Sequence, residues 1–299
     1  MQDTLYIVFL IAISVLASQG INLAYKFGST RTSDPVSSPP LLCTFCSFFI
    51  ACIYIIMAFV FDGGISFPDR MSILYAMMLA ISYSVAAIFY LLALSCGPYT
   101  ISAILLNMSS FLPILYSRLF LGETISFFQL CALVIMMFSC VTLTLSRNQG
   151  VKSSKANTRW VIYIILMFFA NSLISFSLRV NTRLAPETSL NSFLALAYTV
   201  AAIICFVFFL CSGGVKKKIQ PKPLILPGLC VAASLGMQLT PTALLPKYLS
   251  SALQYPIEKG SAILFGVVVG MVFFKERINH RGWMSIAAII AALCLIGIK

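Results

Sequence analysis

The chain reads as long apolar blocks separated by short polar punctuation. Ten blocks run at about 5–26, 40–61, 72–95, 98–121, 125–146, 160–182, 188–211, 224–246, 250–274 and 280–298. About 20 apolar residues in helical form cross a hydrocarbon core of roughly 30 Å. The pattern therefore predicts an all-α membrane protein of about ten transmembrane helices. The gaps "GSTRTSDPVSSPP", "FDGGISFPDR" and "SCGPYT" carry the Gly, Pro and Ser that end helices. The longest polar stretch near the middle, "SRNQGVKSSKANTR" (146–159), divides the chain into 1–150 and 151–299, five blocks each.

The two halves run in step. Lys26 closes the first block and Arg179 the sixth, 153 residues apart. Glu123 follows the fourth block and Glu276 the ninth, again 153 apart, so "LFLGETIS" falls on "VFFKERIN". This predicts a duplicated five-helix unit. Five is odd, so the copies must sit inverted in the membrane, an arrangement that recurs in secondary transporters.

Composition agrees. Hydrophobic residues make up 60% and charged residues 9%, against roughly a quarter charged in soluble chains. The net charge of +12 does not point to nucleic acid, because the basic residues sit in gaps between apolar blocks and read as topology signals facing anionic lipid. The gaps after blocks 1, 5, 7 and 9 hold 13 Lys and Arg, and the opposite side holds 6, with Arg179 and Arg183 among them. By that excess both termini lie outside. The N-terminal block has no Lys or Arg before it and reads as a retained span rather than a signal peptide. The ten cysteines are scattered. Cys43 and Cys46 form a lone C-x-x-C without a second pair, which is poor support for metal or redox chemistry.

Candidate chemistry concentrates in one place. Seven of the eight acidic residues fall at block ends or in gaps, and only Glu258, beside Lys259, is deep. Eight residues into its block, it lies about 12 Å along a helix. Ionisable groups inside a membrane usually face a cavity or a partner. Adjacent helical residues diverge by about 100°, although Pro256 loosens the helix enough for the pair to approach. Glu258 is also the one deep carboxylate available for proton coupling, with protons the candidate coupling ion. Amide and ring groups complete the candidate substrate-binding set: Gln19 and Asn22 in the first block, Tyr83 in the third, Asn107 in the fourth, Gln238 in the eighth and Tyr255 in the ninth. Ser18 and Asn22, four apart, share a helical face. The alternative for all of them is packing between helices. His280, the one histidine, lies in the last gap, no catalytic triad or metal set forms around it, and no G-x-x-x-x-G-K-[ST] loop is present. Neither an enzyme nor an ATP-driven pump is expected, and no cofactor.

Two stretches resemble a known group. "LFLGETISFFQLCALVIMMFSCVTLTL" is similar to the L-G-E ending of an EamA-type repeat, and "VFFKERINHRGWMSIAAIIAALCLIGI" matches it with Lys275 in place of the Gly. "QYPIEKGSAILFGVVVGMVFFKERIN" resembles the third-helix segment of small multidrug resistance proteins through Tyr255, Gly260 and the pair Phe273–Phe274. The chain is thus similar to the drug/metabolite transporter superfamily. The resemblance implies alternating access around a cavity formed by spans 1, 3, 4, 6, 8 and 9, with Tyr255 facing substrate. Two features depart from it. The first span has no acid after Asp3 to match the proton-coupling Glu of the small multidrug branch. The charge excess also puts the termini opposite to the family's usual cytoplasmic placement.

The expected function is secondary transport of a small polar, amino-acid-like or drug-like solute, by an integral protein of the cell (inner) membrane working as a monomer or weak homodimer. Alternatives are a nucleotide-sugar or lipid-linked substrate translocator, and a non-transporting scaffold or sensor.

Overall fold

The structure is a computed structural model that describes residues 2–30, 38–66, 69–96, 99–147, 158–184, 189–214, 221–274 and 279–296. The gap residues Arg31, Lys152, Lys155, Lys216, Lys217, Lys218, Lys275, Glu276 and Arg277, and the boundary near residue 150, lie outside the described residues. So do the side chains of Lys26, Phe273 and Phe274.

Among the described residues every regular element is helical. The helices are α1 (Gln2–Thr30), α2 (Ser38–Phe61), α3 (Arg70–Cys96), α4 (Tyr99–Met108), α5 (Leu112–Leu121), α6 (Phe127–Arg147), α7 (Thr158–Leu184), α8 (Leu190–Cys211), α9 (Lys222–Leu244), α10 (Ser251–Phe274) and α11 (His280–Ile296). Over their described residues, six are long and apolar enough to cross a membrane: α1, α2, α3, α7, α8 and α9. Many large apolar side chains point outward, among them Leu5, Phe9, Phe59, Phe120 and Trp283. Such a coat suits hydrocarbon and not water.

The expected fourth span is one path made of two helices. α4 and α5 are joined by a 3₁₀ turn at Ser109–Phe111. Pro113, in the first turn of α5, has no N–H to give residue 109, and its ring crowds that carbonyl. The carbonyl of Leu106, freed near the break, accepts from Ser109 Oγ at 2.6 Å and from Asn171 Nδ2 of α7 at 3.2 Å. A broken helix is tolerated at membrane depth when neighbours satisfy its backbone in this way.

Gly122 ends α5. Its φ of 65° is left-handed, a conformation glycine adopts without a Cβ penalty. The "LGE" run therefore has a local cause, since the turn at Gly122 swings Glu123 back under the neighbouring helices.

Helices of the first half pack mainly on helices of the second. α3 lies against α7, α2 against α8, α1 against α9 and α6 against α11, with α2 also touching α9 and α3 touching α8. Two apolar clusters result. The larger joins α1, α2, α3, α7, α8 and α9. The smaller joins α5, α6, α10 and α11.

Candidate functional site

A cavity of about 120 Å³ borders the larger cluster. By water-sized measure that is room for roughly ten waters, or a solute of similar bulk. Its walls come from α1, α3, α4, α7, α9 and α10, the six spans that the resemblance implies, with Tyr198 of α8 in addition. Lys259 is the one charged residue among its described lining.

Five of the eight candidate residues line this cavity: Asn22, Tyr83, Asn107, Gln238 and Lys259. Ser18 joins Asn22 on the same face of α1, as the four-residue spacing requires. The other three candidates do not line it. Gln19 is turned toward α10, where Nε2 donates to the carbonyl of Ala262 at 2.9 Å. Gly266 leaves the space for it, because a Cβ there would stand 3.1 Å from Gln19 Oε1. Tyr255 is buried and its hydroxyl donates to the carbonyl of Ser175 at 2.9 Å. Glu258 is buried behind Lys259.

The Glu258–Lys259 pair has a lopsided geometry. Glu258 Oε1 accepts from Ser14 Oγ at 2.6 Å, Thr242 Oγ1 at 2.8 Å and Lys259 Nζ at 3.0 Å. Glu258 Oε2 is buried without a hydrogen-bond partner. The adjacent residues thus reach each other despite their divergence on a regular helix. Pro256 lies inside α10 just before them. The carboxylate draws one donor from α1 and one from α9, besides Lys259, which itself lines the cavity.

Part of the cavity lining is aromatic. Tyr25, Tyr83, Tyr90 and Tyr198 all line it and all are buried. Tyr25 meets Tyr90 edge to face at 5.8 Å between centroids, and Tyr83 meets Tyr198 at 4.9 Å. Tyr83 and Tyr90 are seven apart on α3 and so share a face. Tyr25 and Tyr198 carry no comparable signal in the sequence, being single tyrosines in apolar runs.

A second buried ion pair lies outside this cavity, and sequence reasoning missed it. Arg179, fully buried in α7, donates from Nε to Glu123 Oε1 at 2.9 Å and from Nη2 to the same oxygen at 2.5 Å. Its remaining donors reach Gln254 Oε1 at 2.8 Å and the carbonyl of Leu249 at 3.1 Å. Glu123 Oε2 accepts from the backbone N–H of Ser251 at 2.8 Å and its Oγ at 2.6 Å. That carboxylate sits at the N-terminus of α10, where the helix dipole favours negative charge. Burial pushes the Glu123 carboxyl up, but the bonds from Ser251 and Arg179 outweigh it and hold it below its ordinary value. Arg179 therefore does not belong with the loop charges that weigh on topology. The signal was present in the repeat itself, which singled out both Glu123 and Arg179.

The EamA-like transporter family matches residues 5–145. That stretch, most of the first half, is similar to this family of the drug/metabolite transporter superfamily. With its long apolar helices, the chain is a multi-pass integral membrane protein. Its backbone is similar to a solved structure titled "Crystal structure of protein", with a TM-score of 0.69 and 15% identity, over 98% of this chain and 96% of that one. That likeness speaks to the fold alone. No curated protein matches the sequence.

Proposed function

We propose that the protein is a secondary active transporter. It carries a small polar solute across the cell membrane by alternating access, as an exporter or exchanger. The carrying observation is the cavity itself: a polar and aromatic chamber inside a membrane protein, with one charged residue, Lys259, among the described residues of its wall. Buried polar groups at membrane depth are costly unless they serve a pathway or a partner.

Residues 1–150 and 151–299 act as inverted copies in this reading. The helix packing supports it. Exchanging the first five spans for the last five turns α1 on α9 into α7 on α3, and turns α2 on α9 into α8 on α3. It also leaves α2 on α8 and α6 on α11 as they are. Rocking one half on the other would open the shared cavity to each side in turn.

The test is uptake into proteoliposomes of a panel of amino acids, organic acids, amines and nucleotide sugars. One class of small solute should accumulate over protein-free vesicles and compete with itself. Uptake of the nucleotide sugars alone would favour the larger-substrate reading. No uptake of any class, together with unchanged stability when Glu258 and Lys259 are both neutralised, would leave a scaffold or sensor.

A further inference from the structure

We infer that the solute is a small organic carboxylate, and that it takes the place of Glu258 on Lys259 while Glu258 takes up a proton. The inference rests on the transport reading and names the substrate class and coupling of the same cavity.

Three observations meet here. Lys259 lines the cavity and is the one charged residue among its described lining, so the charge a solute meets there is positive. The counter-charge is not in the cavity, because Glu258 is buried behind the lysine. A solute ammonium group would find amides and rings but no carboxylate among the lining residues. Finally, the buried oxygens without a hydrogen-bond partner among the described residues include Glu258 Oε2 and, on the cavity lining, the hydroxyl of Tyr198. The first can receive a proton. The second can bond a polar group at the other end of a solute.

The exchange keeps the buried site neutral. Before binding, the Glu258 carboxylate and the Lys259 ammonium cancel. A solute carboxylate enters and takes the Lys259 Nζ–H bond now made to Glu258 Oε1. The Lys259 ammonium keeps its proton and charge throughout. Glu258, stripped of its counter-charge inside the protein, accepts one proton from bulk water on Oε2, and Ser14 and Thr242 continue to donate to Oε1. The site then holds a neutral acid and a lysine–solute ion pair. A buried charge left alone is far more costly than either arrangement. Each carboxylate bound therefore brings one proton, and the pair moves without net charge.

Among the described residues, no further charged group bonds Glu258. α1 and α9 present Ser14 and Thr242 to Glu258, and Tyr255 and Lys259 flank it on α10. The charges of the other elements packed on α10 sit toward helix ends: Asp3 and Lys26 on α1, Lys222 on α9, Arg118 on α5, Arg147 on α6, and His280 and Arg281 on α11. Arg179 of α7 is committed to Glu123 and Gln254.

The test is titration calorimetry on the purified full chain, in two buffers of different ionisation enthalpy, with the sodium salts of lactate and 4-hydroxybenzoate. Their amides and the matching amines serve as controls. The wild type should bind at least one salt, ignore its amide and amine, and take up close to one proton per solute. Glu258→Gln should still bind but take up none. Lys259→Met should lose binding by tenfold or more while Lys259→Arg keeps part of it, with the melting temperature of each variant confirming the fold. Binding without proton uptake in the wild type, equal binding by Lys259→Met, or binding of amines or amides in preference to both salts would each overturn the inference. Transport of another solute class in the vesicle assay would leave the transport reading standing while this one fell.

Discussion

Among the described residues two carboxylate–cation pairs reach into the protein, and they are built differently. In Glu123–Arg179 both carboxylate oxygens are occupied, and the guanidinium also bonds Gln254 and Leu249. In Glu258–Lys259 three donors crowd one oxygen and the other has none. The first pair ties α7, the end of α5 and the start of α10 into one block. The second borders a cavity and is free to change partners. Satisfied buried pairs hold a structure in one arrangement, and a half-satisfied one beside a cavity is where a ligand finds work to do.

The largest expected effect breaks the satisfied pair. Glu123→Ala leaves Arg179 buried without its anion, which costs roughly 3–5 kcal/mol. Thermal unfolding in detergent should show it as a large drop in melting temperature. Glu258→Gln keeps an acceptor for Ser14 and Thr242, and its lysine borders the cavity, so its loss should be nearer about 1 kcal/mol. Equal losses would erase the distinction between the pairs.

Acid should find the first pair as well. The folded Glu123 carboxyl sits below its ordinary value, so the stability it adds is complete above the unfolded value of about 4.3. It is lost as pH falls through the lower folded value. Melting temperature measured downward from pH 6 should fall more steeply in the wild type than in Glu123→Gln. Parallel curves would show that Glu123 does not govern the acid limb.

Much of the fold was legible because hydropathy reports what faces lipid. The span expected at 72–95 is α3 (Arg70–Cys96), and that at 250–274 is α10 (Ser251–Phe274). The break at Ser109 was less so, although Pro113 marks its cause. Facing within the membrane was harder to read. Gln19 and Asn22 are three residues apart and look alike as amides in an apolar run. One is drawn to a backbone carbonyl on α10 past Gly266 and the other lines the cavity, and that choice is made by the neighbouring helix. Arg179 reads as a loop charge until the turn at Gly122 brings Glu123 to it.

The smallest effect sharpens the same contrast. Gln19→Leu gives up its bond to Ala262 and should cost about 1 kcal/mol in stability. Solute affinity of the folded protein should not change, since Gln19 is outside the cavity lining. A selective loss of affinity at full stability would put Gln19 back into recognition.

The account stands or falls on Lys259 as the charge that meets the solute. The direct measurement is uptake into proteoliposomes by wild type and Lys259→Met, at equal amounts of folded protein, for whichever solute the wild type accumulates. The predicted result is at least a tenfold loss of initial rate in Lys259→Met. Uptake at the wild-type rate would contradict the account and move the binding site elsewhere.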